Sequence, residues 1–182
     1  MEDVIAAAAG LMKGRVEPLD FEILVNRYER PVLRTAWRLL GNLEDAQDAA
    51  QEVFLRLHRN LRQFESAEAA GPWIYRVTVN VCYDLGRKRR RFVPLADGFD
   101  PPDVASAADQ RLEAEQRRRA VMQGLARLPE RERAAVVLRE IEGLTTQEVA
   151  AIMGITEDTV RSQVASGRGK LRKFAERLWR RS

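Results

Sequence analysis

The sequence predicts an all-α protein: two small helical domains joined by an acidic flexible linker, the second containing a helix-turn-helix. Three observations predict it. Apolar residues recur at three- and four-residue spacing along nearly the whole chain. Residues 93–110 break that pattern, gathering Pro94, Pro101, Pro102 and Gly98 with four Asp and no basic residue, a composition that cannot pack a core. Residues 145–173 then join two helix-start signals across one glycine turn.

Phe21, Leu24, Val25, Tyr28, Val32, Leu33, Ala36, Trp37 and Leu40 make the first helical stripe, ended by Gly41. Pro31 lacks the N–H that a helix interior uses, so it predicts a kink or the start of a second helix. Asn42 can cap the next helix, with Ala46, Ala50, Val53, Leu57 and Leu61 on its buried face. Residues 62–71 are small and polar and read as a loop, and Pro72 suits the first turn of a third helix. Trp73, Ile74, Val77, Val81 and Leu85 supply its core side. The β-branched VTVNV run also suits a strand; its spacing and its neighbours predict helix. Beyond the acidic segment, residues 112–128 read as helix. Pro129 begins another, carrying Val136, Val137, Leu138 and Ile141, and Gly143 closes it.

The stretch from 145 to 173 carries the densest local signal. Thr145 and Glu148 have capping-box spacing, so each side chain can satisfy a free N–H. Ala150 is small where a second helix must cross, and Gly154 suits the positive-φ residue that ends the first helix. Thr156 can cap the second helix, with Glu157 and Asp158 in the first turn, where the dipole favours acids. Val160, Val164, Leu171, Phe174 and Leu178 form its apolar stripe, leaving Arg161, Gln163, Arg168 and Lys170 outward. DNA-binding units of this kind put the second helix in the major groove. Arg161 and Gln163 are then candidates for base edges, Thr156 and Thr159 for bases or phosphates, and Arg168 and Lys170 for phosphates. Gly167 and Gly169 each cost a helix about 1 kcal/mol relative to alanine. They either permit close approach to DNA or let the helix fray early.

The chain has 182 residues, 45% apolar and 32% charged, enough for one ordinary domain or two small ones. No apolar run is long enough to span a membrane. The early IAAAAGLM stretch has acids before it and Lys13 and Arg15 after it, the reverse of a signal peptide, so a cytoplasmic protein is expected. Net charge is only +4, but the basic residues cluster. Residues 87–91 are an unbroken basic run, and residues 161–182 hold eight Lys or Arg against one Glu. Two separated patches point to two contacts with a polyanion. Cys82 and His58 are the only residues of their types, which excludes a disulfide framework or a Cys/His zinc site within one chain. Cys82 reads as core. With no phosphate loop, glycine fingerprint or nucleophile elbow, no enzymatic activity, metal or cofactor is expected.

The segments DAQDAAQEVFLRLHRNL, GPWIYRVTVNVCYDLGRKRRR and LPERERAAVVLREIEGLTTQEVAAIMGITEDTVRSQV, in that order and with a linker before the third, resemble the bacterial sigma-70 family. The lack of other domains makes the chain similar to the small extracytoplasmic-function (ECF) group. The resemblance implies that residues 18–92 (region 2) grip core RNA polymerase and open the −10 element. Residues 93–109 would be the linker and 110–182 (region 4) the −35 reader, with 1–17 left as an N-terminal tail. It implies that Asp45, Asp48, Gln51, Glu52, Phe54 and Leu55 bind the clamp coiled coil of the polymerase's largest subunit. From the residues alone, that pattern either docks a basic helix or is a solvated acidic face.

Trp73, Tyr75, Arg76, Asn80, Asp84, Arg87 and Lys88 follow the block associated with −10 recognition. Strand opening needs a place for an unstacked base and cations for the separated strand. The loop around Phe64, Glu65 and Ser66 offers part of such a pocket, and Trp73 reads as core or as a stacking platform. The chain departs from the family at Gln163, Ser166 and Gly167, where members commonly carry further basic residues. Partners implied by the resemblance are core polymerase, promoter DNA and an anti-sigma protein, with no membrane insertion. The competing reading is a stand-alone helix-turn-helix regulator that binds duplex DNA without polymerase.

Overall fold

The computed structural model describes residues 20–89 and 108–180, so the tail at 1–17 and linker residues 93–107 lie outside the described residues. The first domain is α1 (Phe21–Leu40), α2 (Leu43–Arg59), a 3-10 turn (Leu61–Gln63) and α3 (Ala67–Arg89). The second is α4 (Ala108–Ala126), α5 (Glu130–Val136), a π-helical turn (Val137–Ile141), α6 (Thr146–Met153) and α7 (Glu157–Trp179). There is no strand among the described residues. The fold is all-α, as the periodicity predicts.

In the first domain the Asp20 carboxylate accepts from the Glu22 N–H at 2.9 Å and starts α1. Helix α1 then runs unbroken past Pro31. No second helix starts there: one lost hydrogen bond is outweighed by the burial of Leu24, Tyr28, Val32, Ala36 and Leu39 on one face. Helices α1, α2 and α3 pack pairwise around Leu24, Leu57 and Ile74, each fully buried and each contributing about 1.5–3 kcal/mol. Helix α3 begins at Ala67, earlier than Pro72 suggests, because the Ser66 hydroxyl accepts from the Ala69 N–H at 3.2 Å. VTVNV is helical, and Cys82 is buried, its thiol pushed up by desolvation.

In the second domain, residues 134–138 are buried in an unbroken run. A helix that advances 100° per residue reaches that result only when covered on two sides. Here α7 covers one side of α5 and α1 of the first domain lies against it as well. The π-helical turn follows, closed by the Glu142 N–H donating to the Val137 carbonyl at 2.9 Å. It leaves Ile141, read with the apolar face, 38% exposed. The helix-turn-helix forms as its caps dictate. Thr145 and Glu148 make a reciprocal capping box, and Gly154 takes φ +65°, where a side chain would be strained. The Thr156 hydroxyl accepts from the Thr159 N–H at 3.2 Å.

Candidate nucleic-acid and partner interfaces

Helix α2 presents one stripe to solvent. Asp48, Gln51 and Leu55 are exposed at helical spacing, with Leu55 at 47%. Phe54 is half-buried beside them, and Glu52 is held to Arg56 one turn on at 2.7 Å. Asp45 does not join this face. It is only 8% exposed, its N–H donates to the Asn42 side-chain oxygen at 2.8 Å, and its carboxylate accepts from the Asn42 amide at 2.6 Å. The reciprocal cap at the start of α2 folds Asp45 inward, so the acidic surface is centred on Asp48 instead.

On α3, Arg76, Asn80, Asp84 and Arg87 fall on one exposed face, with Lys88 next to it. Arg87 and Asp84 pair with each other, an exposed bond that nucleic acid can exchange cheaply. At the start of the same helix the Trp73 ring lies edge-on to Phe64, centroids 5.3 Å apart. Both rings are half-buried, and Glu65 beside them is exposed. The arrangement gives an aromatic ledge rather than a sealed core. Ser66 is occupied as the helix cap. Tyr75 stands apart: its hydroxyl lies 3.4 Å from Glu142 of the second domain, and burial, then Glu142, push its pKa up to about 12.

On α7, Thr156 and Thr159 hold each other's hydroxyls at 2.8 Å at the helix start. Arg161 is 60% exposed and forked onto Glu157 and Asp158, at 2.8 and 2.5 Å. Such exposed pairs are worth little, so the guanidinium remains available to a base edge. Arg168 is exposed as expected, and Arg172 extends the same stripe. Of the residues read as outward, Gln163 turns partly inward, and Lys170, exposed as expected, is engaged by another helix. The Gln163 side-chain oxygen is buried without a partner among the described residues, and Lys170 is bound to Glu132 of α5 at 2.6 Å. Glu132 lies 38 residues away, beyond any local pattern.

The two helix glycines separate cleanly. Helix α7 is continuous to Trp179, so neither frays it. A Cβ on Gly167 would sit 2.7 Å from Val136 Cγ2; this glycine lets α5 and α7 cross closely and has no part in approach to DNA. A Cβ on Gly169 would meet nothing within 4 Å. Gly169→Ala is therefore expected to raise stability by about 1 kcal/mol in urea unfolding.

Sequence reasoning missed the residues that join the domains. Arg38 Nη1 donates to Glu142 Oε1 at 2.6 Å, and Arg133 Nη1 donates to the Leu39 carbonyl at 2.6 Å. These partners stand 104 and 94 residues apart. Their only local hint is a charge set within apolar neighbours.

Comparison with known proteins assigns the two halves. Residues 24–92 match the sigma-70 region 2 model and residues 118–171 the sigma-70 region 4 model. The ECF RNA polymerase sigma factor SigE of Mycolicibacterium smegmatis is 36% identical, over 83% of this chain and 60% of its own length. The chain thus spans 60% of that relative. SigM of Mycobacterium tuberculosis is 34% identical over 85% of this chain and 76% of its own. The ECF sigma-E factor of Escherichia coli K12 is 30% identical over 88% and 89%. Among solved structures, the sigma factor RpoE from Bartonella quintana, crystallised with the anti-sigma factor NepR, has a TM-score of 0.69 at 21% identity. It covers 86% of this chain and 97% of its own. CnrH, in complex with the cytosolic domain of CnrY, has a TM-score of 0.63 at 24% identity, covering 86% and 87%. These two share the fold. No helix among the described residues is long and apolar enough to cross a membrane. Identities of 36%, 34% and 30% to these relatives, together with both region models, show that the chain belongs to the sigma-70 family, in its extracytoplasmic-function group of RNA polymerase sigma factors.

Proposed function

We propose that the chain binds core RNA polymerase and directs it to promoters, recognising −10 and −35 elements and assisting strand opening. Residues 18–92 and 110–182 are the working domains and 93–109 the connection. The partner face is Asp48, Gln51 and Leu55, flanked by Glu52 and Phe54, and it docks the basic coiled coil of the polymerase clamp. Arg76, Asn80, Asp84, Arg87 and Lys88 follow the −10 strand, with Phe64, Glu65 and Trp73 beside an unstacked base. Thr156, Thr159 and Arg161 meet the −35 major groove, and Arg168 and Arg172 its phosphates. The protein acts in the cytoplasm and does no covalent chemistry of its own; phosphoryl transfer belongs to polymerase. An anti-sigma partner, as in the Bartonella complex, is part of the same proposal.

The observation that carries this reading is the α2 stripe. A carboxylate, an amide and a large apolar side chain stay in solvent on a helix whose other apolar face is fully used. A regulator that needs only DNA has no use for it. Fluorescence anisotropy with a promoter-length duplex tests the reading. Weak, salt-sensitive binding by the chain alone and sequence-specific binding only with core polymerase are expected. Tight specific binding that core polymerase leaves unchanged would instead establish a stand-alone regulator.

A further inference from the structure

Helix α7 carries polar residues along two flanks of its outward face, and the fold treats the flanks differently. At about 100° per residue, Arg161, Arg168 and Arg172 fall within about 40° of one another on one flank. Thr159, Ser166 and Lys170 fall together on the other, roughly 160° away. Between them on the inner side lie Val160, Val164 and Gly167, all buried. A helix seated in the major groove has a phosphate strand along each flank. Lys170 is the first cation on its flank, counted from the base-reading end of the helix.

That cation is already engaged. Its ammonium donates to both oxygens of Glu132 on α5, at 2.6 and 2.8 Å, and the Ser166 hydroxyl donates to the first of those oxygens at 3.1 Å. The contact forms because Gly167, between Ser166 and Lys170, lets the two helices cross closely. A Cβ there would lie 3.6 Å from the Glu132 carbonyl. The Glu132 side chain is only 16% exposed, whereas Glu157 and Asp158, which hold Arg161, are exposed. Exposed pairs exchange for phosphate at little cost. A carboxylate that is mostly covered loses more when its cation leaves, and a phosphate approaching Lys170 would meet that uncompensated charge. Glu132 thus occupies, for Lys170, the place that a phosphate takes in a DNA complex.

Resting on the −35 reading above, we propose that Glu132 is a positioning residue that withholds Lys170 from the DNA backbone and so limits the chain's own affinity for duplex. Binding to DNA of any sequence rests on phosphate contacts. A chain that keeps one cation back binds non-promoter DNA less tightly and stays available to polymerase. The flank of Arg161, Arg168 and Arg172 then carries the DNA contacts of this helix.

The test measures fluorescence anisotropy of a mixed-sequence DNA duplex against salt, for the full chain and its variants. Glu132→Gln keeps the side-chain shape, leaves an acceptor for Ser166 and leaves the crossing at Gly167 in place. It should tighten binding about five- to tenfold near 0.1 M salt and steepen the salt dependence by about one phosphate contact. Lys170→Gln in the parent should weaken binding by about threefold or less, because no phosphate contact is lost. The same exchange added to Glu132→Gln should abolish the whole gain, a non-additivity that a purely structural role for Glu132 would not produce. Weaker binding by Glu132→Gln overturns the proposal, and so does a Lys170→Gln loss as large in the parent as in the variant. Should circular dichroism show Glu132→Gln misfolded, Lys170→Gln alone decides, since a loss of about tenfold in the parent contradicts withholding. If the parent directs selective transcription while Glu132→Gln binds duplex as the parent does, the withholding role alone fails. If the parent gives no selective transcription with polymerase, the sigma reading fails while the salt series still judges Glu132.

Discussion

Asp48→Arg is expected to lower affinity for core RNA polymerase by about thirtyfold or more, with the fold intact. Asp48 is exposed at the start of the α2 stripe and is its one carboxylate with no ion pair among the described residues, and reversing a charge against a basic partner adds repulsion to the lost attraction. Asp45→Arg should also abolish binding, but for another reason. It forces a long cation into a site 8% exposed and removes the acceptor of the Asn42 amide. A loss of about 3 kcal/mol or more in stability is expected there. Titration of labelled core polymerase, paired with thermal melts by circular dichroism, separates the two. A normal melt with lost binding marks Asp48 as a contact, whereas an early melt marks Asp45 as structural. Unchanged binding by Asp48→Arg would remove the α2 stripe from the account.

Gly167→Leu is expected to disable the second domain while sparing the first. The added Cβ would lie 2.7 Å from Val136 Cγ2 and 3.6 Å from the Glu132 carbonyl, and the rest of the side chain has Leu128 in its way. Overpacking of this kind costs about 1–3 kcal/mol, more than the roughly 1 kcal/mol that replacing a helix glycine returns. Separation of α5 from α7 would also release the Lys170–Glu132 pair and tilt Arg161 and Arg168 away from a common groove. Affinity for a −35 duplex should fall at least tenfold while the α2 face still binds core polymerase. Duplex anisotropy and polymerase titration on the same preparation check both arms. Wild-type duplex affinity in Gly167→Leu would show that the crossing tolerates bulk.

What the sequence revealed was what neighbouring residues decide. The caps at Thr145, Thr156 and Asn42 and the turn at Gly154 use groups within four residues of one another, so spacing alone predicts them. The apolar stripes of α1, α2 and α3 follow the same local rule. The candidate sites were legible only in part. Asp45 shares a helical face with Glu52 on paper, yet Asn42 draws it inward. Lys170 is exposed as its spacing predicts, but its partner Glu132 comes from α5. Arg38 and Glu142 meet only after the whole chain has folded. Gly167 did carry a readable signal: it follows Val160 and Val164 at helical spacing, which puts a residue without a side chain on the buried face of α7.

The most direct measurement is reconstituted transcription with purified core RNA polymerase on the source genome's DNA, mapping transcript 5′ ends. Adding this chain is expected to create a discrete set of start sites that share sequence elements near −10 and −35 and that disappear with Asp48→Arg. The same scattered initiation with and without the chain would contradict the account at its root.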